Sequence, residues 1–309
     1  MITIALASYN GEKYIGEQLD SLINQYTGCD FRIFVSDDCS SDSTFEILRR
    51  YEEKYPEKIH VQQNDKPTGS AQGNFFKLLR EIDDDYVMLC DQDDVWLEDK
   101  VQLTYERMKQ LEMEYGSKTP LLVFSDVMVT DEKLNIISDS MAAYQKTAPR
   151  HNRLNNYLVQ NNIIGCTVMI NRELLKYMEY EPQVCMMHDW WLGLLASAFG
   201  HIAYLEKPLM KYRQHEGNQM GTRAAGDASQ YIERLSKGEE VRKNYDIMFK
   251  QAEIFLRRYR KELSQKQIKL LEGFISINGS LRLVKIFKIF KYKLFKSTWL
   301  WTLGQCFSI

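Results

Sequence analysis

Short β-rich apolar runs alternate with longer segments of helical period through about residue 130, a pattern that predicts parallel strands joined by crossover helices. Strands are expected near 2–7, 31–36, 59–63, 86–90 and 121–126, with helices near 13–25, 43–55, 71–82 and 98–114. From about 160 the pattern predicts a strand at 166–170, a short helix after Asn171, an apolar helix over 189–199 and two strands around 202–213, completing the same sheet. Beyond Gly226 the chain turns to Lys, Arg, Glu, Leu and Phe at helical spacing, without proline. The fold class expected is α/β, a mostly parallel central sheet flanked by helices, with residues 1–220 as the catalytic domain and 221–309 as a helical C-terminal region. Residues 136–156 show no regular pattern and read as a mobile loop on the acceptor side.

Composition narrows the setting. A chain of 309 residues with 44% hydrophobic content can bury a large core, and a net charge of −2 gives no global case for nucleic acid as a partner. The six cysteines, at 29, 39, 90, 166, 185 and 306, form no CxxC pair and read as reduced thiols. The sequence enters a strand at once, without the charged region and cleavage site of a signal peptide, so a cytoplasmic location is expected. No run of 18 apolar residues occurs.

The chemistry concentrates where an apolar strand ends in Cys90-Asp91-Gln92-Asp93-Asp94-Val95-Trp96. Carboxylates that close repel one another. Clustered hard oxygens suit Mg²⁺ or Mn²⁺, which bridge protein carboxylates to substrate phosphates, and the end of a strand is where open α/β sheets bind ligands. A solvated acidic turn would use the same residues. Two more polar loops follow strand ends, Ser8-Tyr9-Asn10-Gly11 and Asp37-Asp38-Cys39-Ser40-Ser41-Asp42-Ser43. Asp42 or Ser43 serves as a helix N-cap, while the Asp37-Asp38 pair resembles the acidic group that accepts hydrogen bonds from a nucleotide. A third loop, from Asn64 to Asn74, offers Gly69 and Gly73, residues that a turn and a helix entry also need.

The order of these signals, Ser-Tyr-Asn, then Asp-Asp-x-Ser-x-Asp, then a Gly/Asn loop, then Asp-Gln-Asp-Asp, closely resembles the family 2 glycosyltransferases of the GT-A fold. The resemblance covers roughly residues 1–215, and the version of the acidic run is that of rhamnosyltransferase-like members. It implies that Asp38 contacts the nucleotide base and that Ser8, Tyr9, Asn10, Gly69, Asn74, Asp91, Asp93 and Arg213 surround a nucleotide-sugar donor. It also implies Asp93, Asp94 and His215 at a divalent metal, the last from the Tyr-Arg-x-His run that continues to Gln219. In Met186-Met187-His188-Asp189-Trp190-Trp191, Asp189 matches the general base, although many members carry an acidic residue where this chain has His188. Gly165, Cys166, Trp190 and Trp191 are then expected on the acceptor side, with at least one tryptophan in the core.

Over 281–301 lysines alternate with bulky apolar residues. On one helix, Leu283, Ile286, Phe287, Phe290 and Leu294 would share a stripe, with Lys285, Lys288 and Lys296 pointing away. Such a helix could dock on its own protein, pair with a second copy, or lie on an anionic membrane. The resemblance implies inverting transfer of L-rhamnose from dTDP-L-rhamnose to a glycan or lipid-linked acceptor at the inner face of the cell membrane, in polysaccharide biosynthesis. A UDP-hexose or UDP-HexNAc donor is the first alternative. A nucleotidyltransferase would need a Gly-rich basic start that Ser8-Tyr9-Asn10-Gly11 does not supply, and a non-catalytic nucleotide-sugar-binding module would not need Asp91, Asp93, Asp94 and Asp189 together.

Overall fold

The computed structural model describes residues 1–215 and 238–309; the division expected at 220/221 and the 216–219 end of the Tyr-Arg-x-His run lie outside the described residues. Contacts divide the chain into two units that interleave along the sequence. The first comprises Met1–Met141, Ile163–Glu181 and His201–Gly221, and the second Ala142–Asn162, Pro182–Gly200 and Thr222–Ile309.

The first unit is built on one mixed sheet. Its parallel side holds β1 (Ile2–Ser8), β2 (Phe31–Asp37), β3 (Ile59–Gln63) and β4 (Tyr86–Cys90), linked by α1 (Ile15–Ile23), α2 (Thr44–Lys54) and α3 (Ala71–Arg80). After the short β5 (Val95–Trp96) and α4 (Lys100–Tyr115) come β6 (Leu121–Thr130) and β7 (Ile136–Ser138). In chain order the helical segments α5 (Met141–Gln145) and α6 (Leu154–Tyr157) come next, then β8 (Met169–Asn171), α7 (Arg172–Leu175), α8 (His188–Phe199) and β9 (His201–Arg213), with α6, α8 and all but the first residue of α5 in the second unit. Spatial order is β3-β2-β1-β4-β8-β6-β9-β5, with β7 on β6; β8 runs antiparallel to both neighbours, while β6 and β9 are parallel. Where two strands were expected over 202–213 there is one. Pro208 has no N–H to donate, and the strand accommodates it where its register with β6 shifts beyond Ser125.

Register positions the site. β1 is buried along its whole length between two parallel neighbours, as an apolar central strand should be. Ser8 pairs with Asp37, and Leu6 with Cys90, so β1, β2 and β4 all end at one edge of the sheet and deliver their polar loops there together. Helix entry is fixed locally: the Ser70 hydroxyl accepts the Gly73 N–H at 3.0 Å, and the Asp42 carboxylate accepts that of Thr44 at 3.0 Å. Ser43 occupies the cap position of α2, but its side chain makes no capping bond.

The second unit is helical. α8 is apolar on every side and accordingly buried, with Trp191 edge-on to Phe255 at 5.4 Å. α9 (Gly238–Tyr259), α10 (Gln265–Ile275), α11 (Arg282–Lys291) and α12 (Trp299–Ser308) complete the unit. Ser264 and Gln267 close a capping box on α10. The segment 136–156, expected as a mobile loop, is instead β7, α5 and α6 with short connections. The part in this unit is held by residues far along the chain: the Ala148 N–H donates to Ser297 Oγ at 3.0 Å, Asn155 Nδ2 to the Lys293 carbonyl at 2.6 Å, and the Ser297 N–H to Gln160 Oε1 at 2.7 Å. Order that comes from such distant partners leaves no periodicity to read.

The single helix expected over 281–301 is two helices. α11 ends in a Schellman turn, with Lys293 left-handed at φ 53°, its N–H on the Phe290 carbonyl at 3.2 Å, and the Leu294 N–H on that of Ile289 at 2.9 Å. The expected apolar stripe is split between the two sides. Ile289 and Leu294 are buried, but Leu283, Phe287 and Phe290 are exposed, while Lys285, Lys288 and Lys296 are half-buried. Burying one such Leu or Phe would contribute about 1.5–3 kcal/mol, a gain the chain leaves unclaimed.

Candidate active site

In the first unit, the strand-end loops lock together through buried polar contacts. Asp37 accepts Ser8 Oγ at 3.1 Å, the Ser40 N–H at 3.0 Å and Gln63 Nε2 at 3.0 Å. Asp38, 4% exposed, accepts Asn64 Nδ2 and the Thr68 N–H at 2.7 Å and Thr68 Oγ1 at 2.9 Å, so it anchors the loop that carries Gly69. Gly69 sits at φ +82°, a conformation only glycine adopts without strain. Asn74 is buried and donates to the carbonyl of Ser36 at 2.9 Å and of Ser8 at 3.4 Å, tying α3 to two strand ends. Exposed at the rim are Tyr9 and Asn10; Asn10 Oδ1 accepts the Ser41 N–H at 2.8 Å.

Gln92 joins this rim to the acidic turn. Its Oε1 accepts the Tyr9 N–H and its Nε2 donates to the Tyr9 carbonyl, both at 2.9 Å. A Cβ on Gly11 would lie 2.3 Å from Gln92 Oε1, so a larger residue there would push the Gln92 amide away from Tyr9. Nothing in the sequence distinguished Gln92 from its acidic neighbours.

The turn itself has an electrostatic deficit. Asp94 is 1% exposed; its Oδ1 accepts the Arg213 N–H at 3.0 Å, but its Oδ2 is buried with no hydrogen-bond donor. Burial, and then the charges of Asp93 and Asp91, push the Asp94 carboxyl well above the usual carboxylate range. Two unit charges 4 Å apart repel by about 4 kcal/mol at an effective dielectric of 20, so a proton or a cation is favoured there. Asp91, Asp94 and the Cys166 thiol each offer a donor atom, all within 4.8 Å of one another. Cys166, expected on the acceptor side, thus joins the acidic cluster, carried by the short 3₁₀ turn Gly165–Thr167. Burial, followed by Asp94 and Asp91, raises its pKa, so the thiol is neutral.

The metal set expected from the sequence, Asp93, Asp94 and His215, shares only Asp94 with this group. Asp93 Oδ2 pairs with His215 Nε2 at 2.8 Å, and the His215 ring lies 4.6 Å from that of Tyr14. Hard carboxylate oxygens, one buried without a donor, fit a divalent cation. Arg213 is buried: it donates through Nε to the Asp93 carbonyl at 2.8 Å, through Nη1 to the Glu132 carbonyl at 2.7 Å, and through Nη2 to Glu17, with its guanidinium 4.7 Å over the Tyr14 ring. These contacts brace the acidic turn against the end of β9. Lys100, which sequence reasoning passed over, is wholly buried with Nζ 2.9 Å from the Cys166 carbonyl and 4.1 Å over the Trp96 ring. Burial lowers its pKa to about 8. Its signal was legible, since Lys100 falls on the buried face of α4 with Val101, Thr104 and Met108.

In the second unit, Asp189 is the second residue of α8, where the helix dipole favours a carboxylate, and its Oδ1 accepts the Trp190 N–H at 2.6 Å. The neighbouring His188 is pulled down to about 3 by burial and is neutral at physiological pH. Trp190 donates Nε1 to the Tyr157 carbonyl at 2.5 Å and is 8% exposed. Trp191, expected among the acceptor residues, has no exposed surface, lies against Phe255, and is a core residue that a sugar face cannot reach.

Residues 3–178 match the family described as glycosyl transferase family 2. The dTDP-rhamnosyl transferase RfbG of Shigella flexneri is 32% identical over 235 residues, covering 70% of this chain and 73% of that protein. Among solved structures, Staphylococcus aureus TarS 1–349 superposes with a TM-score of 0.57 at 18% identity, covering 89% of this chain and 70% of that one. The same TarS fragment with UDP-GlcNAc gives 0.56 at 18% identity, over 92% and 82%. That likeness shows the GT-A fold expected above. With strand-end loops and an acidic turn in the order of that fold, the chain belongs to glycosyl transferase family 2, as a glycosyltransferase of the rhamnosyltransferase-like kind.

Proposed function

We propose that the chain transfers L-rhamnose from dTDP-L-rhamnose, with inversion, to a lipid-linked or growing cell-surface glycan at the inner face of the cell membrane. The similarity to RfbG supports this donor. The observation that carries the chemistry is the buried Asp94 Oδ2 without a donor beside Asp91. Asp91 and Asp94 would hold Mg²⁺ or Mn²⁺, flanked by the Asp93–His215 pair. Such an ion, when bound, neutralises charge on the departing diphosphate.

Tyr9 and Asn10, exposed at the rim, contact the nucleotide, and Asp38, with Asn64, Thr68 and Gly69, frames the base. Ser8, Asn74 and Arg213, which are buried, position these groups. Asp189 takes the proton of the acceptor hydroxyl while the hydroxyl oxygen forms its bond to the anomeric carbon. The carbon–oxygen bond to the diphosphate breaks, and its electron pair leaves with dTDP. Gly165 and Trp190 belong to the acceptor side. A panel of sugar nucleotides with lipid-linked acceptors, read by mass spectrometry, tests the donor: a rhamnosylated product is expected, and turnover of UDP-GlcNAc or UDP-glucose without turnover of dTDP-rhamnose would overturn it.

A further inference from the structure

α11 and α12 carry their apolar side chains outward. Leu283, Phe287 and Phe290 stand at i, i+4 and i+7 on α11, and are 81%, 64% and 45% exposed. Trp299, Leu303 and Phe307 repeat the stripe on α12 at 63%, 48% and 71%. The side turned to the protein keeps Ile289, Leu294 and Cys306 but mixes them with polar groups. Thr302 and Gln305 are 1% and 2% exposed, Lys285 Nζ donates to the Ile309 carbonyl at 3.0 Å, and Lys288 Nζ donates to that of Ser276 at 2.7 Å. A helix stabilised by its own protein is oriented the other way round. The two stripes also join, for the rings of Phe290 and Trp299 stack at 6.3 Å and the Arg282 guanidinium lies 4.8 Å over Phe307. A contiguous apolar patch of this kind marks an external apolar partner.

Charge selects the partner. After Glu272 the sequence has no acidic residue and six basic ones, of which Arg282, Lys291 and Lys293 are exposed while Lys285, Lys288 and Lys296 are half-buried, in a chain whose net charge is −2. A second copy of the same face would set cation against cation. An anionic lipid surface satisfies both features, taking the aromatic and aliphatic groups at the headgroup boundary and the exposed Arg282, Lys291 and Lys293 at its phosphates. No described helix is long and apolar enough to cross a membrane. The geometry points to in-plane docking of α11 and α12 on an anionic bilayer, with Leu283, Phe287, Trp299 and Phe307 inserted. This inference rests on the tail alone, and its test uses no sugar nucleotide, so it stands or falls apart from the donor assignment.

The 309-residue chain is sedimented with vesicles of phosphatidylcholine alone and of phosphatidylcholine with phosphatidylglycerol, at low and high salt. Binding at least about tenfold stronger to the anionic vesicles, and weakened by salt, is expected. Brominated lipid should quench tryptophan emission on binding, a readout that needs no variant. Phe287→Ser/Phe307→Ser, at exposed positions, should reduce partitioning about tenfold or more with an unchanged melting temperature. Equal recovery with and without anionic vesicles, absence of quenching, or undiminished binding by the folded double variant would overturn the inference. So would elution as a dimer that the double variant splits, since a second copy would then occupy the face.

Discussion

One oxygen atom decides what the acidic turn can do. Asp94 Oδ2 is buried without a donor and faces two more carboxylates along the turn, so its site holds either a proton or a cation. Asp94→Asn should therefore fold at least as stably as the parent and lose transfer by about 10²–10⁴-fold, in donor turnover assays compared with thermal melts. Asp189→Asn should lose transfer to a similar extent while still binding dTDP by titration calorimetry, because a base acts on the acceptor and not on the nucleotide. Full activity in that variant would remove the assigned base. His188 gives a pH signature. Burial holds its folded pKa near 3 against 6.5 unfolded, so the unfolded chain binds the extra proton and stability is lost as pH falls below about 6.5. The loss should approach about 1.4 kcal/mol per pH unit, and His188→Gln should flatten it in melts between neutral and mildly acidic pH.

Helices and strands carry the next scale of consequence. Gly273 on α10 faces the Tyr292 ring so closely that a Cβ would lie 2.2 Å from it. Gly273→Ala should displace Tyr292 and loosen the turn that ends α11, at a cost of about 1–3 kcal/mol. Hydrogen exchange would then quicken over 282–308 while β1 to β4 keep their protection; a uniform change, or none, would show that the ring moves aside freely. The main strands and the longer helices of the first unit were legible because each has a clear apolar pattern and a plain stop signal, as where β1 ends in Ser8-Tyr9-Asn10-Gly11. The break after Tyr292 was not. Schellman turns favour glycine or asparagine, and here Lys293 takes the left-handed position because Leu294 is drawn into the core.

For the molecule as a whole, ligand linkage offers the broadest check. dTDP at about 100 times its dissociation constant should stabilise the chain by about 2.7 kcal/mol in the presence of Mn²⁺, and far less with EDTA, which should also abolish transfer until metal is restored. Equal stabilisation under both conditions would mean that the nucleotide binds without an ion. The sequence by itself determined the α/β order, the strand-end loops, the acidic turn and the family, because these depend on local periodicity and on residues adjacent in the chain. Tertiary structure alone decided which carboxylate lacks a donor, that Cys166 joins Asp91 and Asp94, that Arg213 braces the turn, and that the tail helices face their apolar stripes outward. Those facts arise from side chains brought together across tens of residues, where burial and the distance between charges exist only once the chain has folded.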